Sequence, residues 1–437
     1  MNSPLNVSKP SILAIPFPGR GHINPMINFC RQLASKQPDL LITFVVTEEW
    51  FELLRSETKL PANISYETIP NVIPSELVRA SDHSGFFKAV QTKMEEPVEW
   101  LIHRLDSRPV VIIFDFFMFW VPRLGIKVNI PVASLVPVSA QVFSMFMHYH
   151  LLEQKGDIPV SNVSDLPSPL YVGQEILPEF LEGTSWAKKT RYLLFTAVYE
   201  LEQKAIDALR AEFSMPVYAI GPAIPDFSLK QNCLTNKDDV PHYIEWLDNQ
   251  PIDSVLYISQ GSFLSVSSDQ LDEIVAGVLD SGVSYLWVTK MEASRVTGEK
   301  GLAVPWCDQL RVLCHPSVGG FWSHCGWNST KESVFAGVPM LTMPIKFDQV
   351  PNSNVIVDDW KIGWRVKRPT AVETLVTRNE IAALVNRFMD LKNDEGKMMR
   401  KRVKELEAIA RQATAQGGSS ENDIDAFIHN ILQCNRD

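Results

Sequence analysis

Two short stretches of the chain gather side chains that can do chemistry. The first, Gly19-Arg-Gly-His22-Ile-Asn-Pro25, follows the apolar run Ser11-Ile-Leu-Ala-Ile-Pro-Phe17 and precedes an apolar periodic segment. That order places His22 at a strand-to-helix turn, with Asn24 expected to cap the helix and Pro25 to take its first position, where a missing N–H costs nothing. An imidazole in such a turn can take a proton from a hydroxyl, although a lone histidine is more often a satisfied polar group. Asp115 closes another apolar run, Val110-Val-Ile-Ile-Phe114. A carboxylate at the end of a buried strand needs a partner. Spacing alone leaves two: the ring of His22, whose tautomer it would fix, or the N–H groups of a loop or helix. Gly19-x-Gly21-x-x-Asn24 lacks the third glycine of the dinucleotide fingerprint and points only weakly to a nicotinamide or flavin cofactor.

The second stretch runs from Trp306 to Gln349. A strand ending near Ser323 passes through His324, Cys325 and Gly326 into a helix expected to start near Asn328 and Ser329. Ser329-Thr-Lys-Glu332 has the spacing of a capping box, and Gly337-Val-Pro339 ends the helix. Free N–H groups at such an N-terminus can hold a diphosphate, or the helix can be an ordinary capped one. Metal sites fit poorly. His324-Cys325 and Cys314-His315 are adjacent pairs without the spacing of a closed zinc site, and Asp423-Ile-Asp425 lies in a helical tail.

Positioning these residues requires strands that end at them. Apolar, β-branched runs recur at Leu41–Val46, Val110–Phe114, Pro131–Leu135, Tyr192–Phe195 and Val217–Ile220, with helix-length segments between several of them. That alternation predicts a parallel sheet covered on both faces. Turn and linker chemistry fills Gly221 to Pro241, and the alternation restarts at Ser254–Ser259, Tyr285–Val288, Gly320–Ser323 and Met340–Met343. The expected fold class is therefore α/β, in two Rossmann-like domains. One spans residues 1–228 and the other 229–437, with the last helix free to pack back on the first. In such sheets ligands bind beyond the carboxyl ends of the strands, which favours a cleft between paired domains.

The 437 residues carry a net charge of −10, with −5 on either side of Ser228. No basic half exists to follow a phosphate backbone, so nucleic acid is not expected as a partner. The one basic cluster, Lys397, Arg400, Lys401, Arg402 and Lys404, is interleaved with acids and reads as a solvated helix face. Six scattered cysteines and a polar first decade without an apolar signal core fit a cytoplasmic protein. The uncharged span between Lys127 and Glu153 is long enough to cross a bilayer. Prolines, histidines and hydroxyls interrupt it, so it reads as a buried strand followed by a core helix, with no membrane insertion.

Trp306 to Gln349 resembles the 44-residue signature box of the plant family-1 UDP-dependent glycosyltransferases, with His324-Cys-Gly-Trp-Asn-Ser329 and the closing Asp348-Gln349 in place. The likeness extends to Gly21-His22, the Asp115 segment and Ser259-Gln-Gly-Ser262. It implies the GT-B architecture of two facing Rossmann-like domains, an N-terminal one for the acceptor and a C-terminal one for the UDP-sugar. It also implies roles. Trp306 would stack on uracil with Gln309 nearby, and Glu332 would bind the ribose hydroxyls. His324, Asn328, Ser329 and Ser262 would hold and neutralise the diphosphate, and Trp327, Asp348 and Gln349 would face the sugar. His22 would be the general base and Asp115 its partner.

The implied reaction is an inverting, metal-independent transfer of a hexose, with UDP-glucose as donor substrate and no cofactor. Gln349 at the last box position is the usual companion of glucose. The acceptor would be a small apolar molecule such as a phenolic, flavonoid or terpenoid, offering a hydroxyl or carboxyl. Phe86, Phe87, Phe116, Phe117, Trp120 and Phe143 can line its pocket or serve as plain core. The alternative is a weakly active or inactive relative that binds UDP-sugar in a regulatory role. The chain departs from the family at Gln260, where Phe is frequent, and at Val136-Pro137, where Trp-Thr is frequent, which leaves Ser139 as a weak candidate for a hydroxyl near the sugar. The segments Asn232–Val240 and Thr289–Leu302 are also short.

Overall fold

The computed structural model describes residues 9–55, 60–79, 81–149, 177–225, 240–261, 266–289, 291, 293–296, 298–367 and 375–433. Its apolar runs form strands in two parallel sheets. The first contains β1 (Ser11–Ile15), β2 (Leu41–Thr47), β3 (Ile64–Ile69), β4 (Val111–Asp115), β5 (Val132–Val136), β6 (Tyr192–Phe195) and β7 (Val217–Ala219), in the order β3-β2-β1-β4-β5-β6-β7. The second contains β8 (Val255–Ser259), β9 (Ser284–Val288), β10 (Gly301–Val304), β11 (Val318–Ser323), β12 (Met340–Thr342) and β13 (Gly363–Arg365), in the order β10-β9-β8-β11-β12-β13. Every residue of β1, β4, β5, β8 and β11 is buried. Helices cover both faces of a parallel sheet, which is why these strands read as unbroken apolar runs and not as alternating ones.

Both sheets are wound the same way, outward from a central pair whose strands lead to opposite edges. In the first sheet that pair is β1 and β4, with Ile15 opposite Phe114. In the second it is β8 and β11, with Ser259 opposite Ser323. The crevice beyond the ends of such a pair is where doubly wound sheets place their ligands. The His22 and Asp115 segments leave from the first pair, and the His324 segment leaves from the second.

The chain divides into two compact units. One holds the described residues of Met1–His148, Glu175–Ile224 and Ala413–Asp437, the other those of Tyr149–Gln174 and Pro225–Gln412. The boundary expected after Ser228 lies outside the described residues. The helix Ser419–Gln433 belongs to the first unit. Its Ile424, Phe427, Ile428 and Ile431 join the core formed around Phe29, Tyr192 and Tyr218, and burying a side chain the size of Phe427 stabilises by about 1.5–3 kcal/mol. Asp423 of the same helix accepts from Arg210 Nη2 at 2.8 Å and from the Ala219 N–H at 2.6 Å.

The span Lys127–Glu153 forms β5 and the buried helix Ala140–Met147, as expected, up to the last described residue there. No helix among the described residues is long and apolar enough to cross a membrane. The basic cluster lies on the helix Asp394–Thr414, where Lys397, Arg402 and Lys404 pair with Asp394, Glu405 and Glu407. Strands β3, β10 and β13 had no counterpart in the apolar runs, and each is an edge strand.

Candidate functional site

The helix after β1 spans Arg20–Lys36, with Gly19 as its N-cap residue. This corrects the expected start. Asn24 is exposed and caps nothing, and Pro25 is buried inside the helix, where the carbonyl one turn earlier belongs to the exposed Gly21. The ladder bond lost to the proline therefore falls on the solvent side of the first turns. His22 sits in the first turn, and its backbone N–H donates to Gly19 O at 3.0 Å.

His22 Nδ1 lies 2.9 Å from Asp115 Oδ2, across 93 residues of sequence. Asp115 is completely buried, while the His22 side chain is 24% exposed. The other carboxylate oxygen accepts from the Phe117 N–H at 3.0 Å. Both readings of Asp115 thus hold together, since one oxygen meets His22 and the other secures the loop after β4. A carboxylate that accepts from Nδ1–H fixes the tautomer and leaves Nε2 as the atom able to take a proton.

The rings of Phe17 and Phe117 flank His22, with centroids 5.0 and 5.5 Å from it. Of the six side chains named for an acceptor pocket, Phe86, Phe116, Trp120 and Phe143 are buried core. Phe87 and Phe117 are only partly buried, and their ring centroids are 6.5 Å apart. Ser139 is buried and its Oγ caps the helix Ala140–Met147 by accepting from the Val142 N–H at 3.1 Å. Its hydroxyl therefore serves the fold.

In the second unit, the helix of the box spans Trp327–Ala336, and its N-cap is Gly326, without a side-chain capping bond. The expected capping box is not formed, because Ser329 and Glu332 both lie inside the helix. They converge instead on Gln309, whose Nε2 donates to Ser329 Oγ at 3.0 Å and to Glu332 Oε2 at 2.7 Å. Tyr257 OH, from the buried strand β8, donates to Gln309 Oε1 at 3.2 Å. Sequence reasoning missed Tyr257; the available signal was a single phenol among the aliphatic residues of a buried strand. Burial pushes the Glu332 carboxyl up to about 7, partly opposed by the bond from Gln309. Trp306 is 61% exposed, an unusual setting for so large an apolar side chain.

His324 is closely packed between two glycines. A Cβ at Gly326 would lie 2.6 Å from His324 Nε2, and one at Gly261 would lie 2.8 Å from it. Gly261 also has φ +84°, a conformation that side chains rarely tolerate. Desolvation pushes the His324 imidazole down to about 4, only partly offset by a hydrogen bond with the Ser259 backbone. Burial thus favours the neutral ring in the free protein, so the imidazole enters the site as a hydrogen-bonding group and not as a fixed cation. The first turn of the helix, at Trp327, Asn328 and Ser329, directs its N–H groups out of the N-terminus, the arrangement that favours an anion.

Trp327 is buried, with its ring centroid 6.2 Å from that of Trp360. Asp348 precedes the helix Gln349–Asn354. Gln349 Oε1 accepts from the Ile345 and Lys346 N–H groups at 2.8 and 3.0 Å, which orients the amide so that its NH2 group faces away from that loop. Gln260 keeps a buried Nε2 without a partner among the described residues. Ser262 lies outside the described residues. Among the described residues, no group of three or more His, Cys, Asp or Glu side chains is arranged to hold a metal ion.

The family model described as UDP-glucoronosyl and UDP-glucosyl transferase matches residues 196–387. UDP-glycosyltransferase 87A1 of Arabidopsis thaliana is 45% identical over 96% of this chain and 100% of its own length, and 87A2 of the same plant is 46% identical over 97% of each. The chain belongs to the plant family-1 UDP-glycosyltransferases. Its backbone matches that of UGT2 from Phytolacca americana, solved with UDP-2fluoro-glucose and pterostilbene, at a TM-score of 0.81 and 26% identity, covering 97% of this chain and 100% of that one. The two doubly wound units are thus those of the GT-B architecture. As a member of this family, the glycosyltransferase moves a sugar from a UDP-sugar donor.

Proposed function

We propose that the protein transfers glucose from UDP-glucose, with inversion at the anomeric carbon, to a hydroxyl or carboxyl of a small apolar molecule in the plant cytoplasm. The observation that carries this reading is the His22–Asp115 pair, 2.9 Å apart. His22 Nε2 takes the acceptor proton, and the acceptor oxygen attacks the anomeric carbon from the face opposite UDP. Asp115 is the carboxylate beside the base. It is buried, with one oxygen on His22 and the other on the Phe117 N–H, so it supports the imidazolium and does not attack the sugar. A single displacement inverts configuration.

In the second unit Trp306 stacks on uracil, Glu332 takes the ribose hydroxyls with Gln309 holding it, and the helix N-terminus at Asn328 and Ser329 receives the departing diphosphate. Fixed N–H donors aimed at developing charge need no reorganisation during reaction. Gln349, with its carbonyl already bonded to two backbone N–H groups, offers its NH2 group to the sugar, and Asp348 accepts from it. The partly buried Phe87 and Phe117 beside His22 suit a flat aromatic acceptor such as a phenolic or flavonoid, or a terpenoid. UGT2 from Phytolacca americana, solved with pterostilbene, supports that class.

The test is incubation of the purified protein with radiolabelled UDP-glucose and a panel of phenols, terpenoid alcohols and carboxylic acids, with the anomer of the product read by NMR. A β-glucoside or β-glucose ester is expected. Tight UDP binding without transfer to any acceptor would instead favour a regulatory, binding-only protein.

A further inference from the structure

Asn352 is completely buried on the helix Gln349–Asn354, and its side chain joins two parts of the donor site. Nδ2 donates to Asp348 Oδ2 at 2.9 Å and to the Cys325 carbonyl oxygen at 3.0 Å. An amide NH2 group has two hydrogens, so both are committed, one to a carboxylate assigned to the sugar and one to the turn that carries the diphosphate helix. Cys325 has φ +66°, a left-handed conformation that is strained for a side chain without the local hydrogen bonding open to Asn or Asp. Such strain persists only where surrounding contacts enforce it.

Two of those contacts are on the turn itself. The Cys325 N–H donates to Ser323 Oγ at 3.0 Å, and the Thr330 N–H and Oγ1 donate to Gly326 O at 3.0 and 3.1 Å. From outside the turn, Ser353 and the Met343 backbone meet the Cys325 thiol, and Asn352 holds the carbonyl. In a planar trans peptide the C=O and N–H point in opposite directions. Holding the Cys325 carbonyl toward Asn352 therefore turns the Gly326 N–H the other way.

We infer that Asn352 is a positioning residue that locks the left-handed Cys325 turn and the Asp348 carboxylate into one geometry, so that the diphosphate and the sugar of the donor are gripped together. This deepens the UDP-glucose reading and rests on it. The test compares Asn352→Asp, which keeps the shape but loses the donors, and Asn352→Ala with the parent protein. Folding is checked by circular dichroism, and affinity for UDP and UDP-glucose by calorimetry. The expected result is a rise in the UDP-glucose KM of about tenfold or more, as befits loss of a hydrogen bond to a charged group, with the acceptor KM within about twofold of the parent. Cys325→Gly in the Asn352→Ala background should recover part of the lost affinity, because glycine adopts the turn without strain.

A UDP-glucose KM unchanged in both folded variants would overturn the inference. So would an equal loss in every parameter without rescue, or failure of all three variants to fold, since Asn352 would then be only a core residue. If the parent itself neither binds nor uses UDP-glucose, it is the donor reading that fails.

Discussion

The two sheets reach their sites by the same winding and fill them with opposite chemistry. Beyond β1 and β4 the first unit places a titratable pair, His22 on a buried Asp115, drawn from segments 93 residues apart. Beyond β8 and β11 the second unit gathers neutral donors: a helix N-terminus, a histidine held neutral between two glycines, and amides whose orientation is fixed by neighbours. Under the proposed function the difference follows from the task. Moving a proton needs a group that changes charge, and such a group works when a fixed counter-charge supports it. Holding a diphosphate in a protein of net charge −10 needs no basic surface if preorganised N–H groups converge where water is excluded.

The contrast breaks most sharply at the base. His22→Ala should lower transfer by ~10²–10⁴-fold, the usual worth of a general base, while calorimetry shows UDP-glucose affinity unchanged; full transfer in that variant would remove His22 from the mechanism. Asp115→Asn comes next, with transfer down roughly 10²-fold. Its oxygen stays on the Phe117 N–H, so its NH2 group faces His22 Nδ1 and forces the wrong tautomer. The size of that loss, read from kcat at saturating substrates, measures how far the first site depends on charge.

The second site should respond through affinity. Gly326→Ala places a Cβ 2.6 Å from His324 Nε2, and overpacking of this kind should raise the UDP-glucose KM about tenfold with a smaller change in kcat. The smallest effect is a pH dependence. Because burial raises the Glu332 carboxyl to about 7, its ionised fraction grows between pH 6 and pH 8. UDP affinity should then strengthen over that interval, by no more than roughly tenfold, and Glu332→Gln should flatten the profile. For the free protein the sign is opposite. A carboxyl whose folded-state value is raised favours the fold at low pH, and that contribution is lost as the pH climbs from its ordinary 4.5 through about 7.

Most of the central architecture is legible in the residues, and each failure has a physical cause. Strands buried on both faces, such as Val111–Asp115 and Val255–Ser259, announce themselves as apolar runs. The strands without that signal, Ile64–Ile69, Gly301–Val304 and Gly363–Arg365, lie at sheet edges, where one side faces less of the core and the sequence is freer. Helix starts fail differently. Pro25 and the Ser329–Glu332 spacing both imitate N-terminal signals, but the chain enters each helix earlier, at a glycine. The His22–Asp115 pair was open on spacing alone, because 93 intervening residues carry no local mark of contact. Tyr257, marked only by a lone phenol in a buried strand, and Asn352 were missed for a related reason: a buried hydrogen bond between separate segments leaves no periodicity.

The return of the last helix to the first unit has a consequence for how the chain is made. Phe29 contributes to the face that Phe427 completes, so the unit whose first strands are made earlier cannot close this face until translation has passed Phe427. At ~5–20 residues per second the interval between those two phenylalanines is roughly 20–80 s. Over that time Phe29 lacks its partner, and Tyr192 and Tyr218 lack it from their own synthesis onward, while the second unit can assemble its own sheet before Phe427 is made. Synthesis order and folding order are thus inverted for the two halves, and a chain stopped before Ser419 would lose core from the unit that carries His22 while keeping the donor box intact.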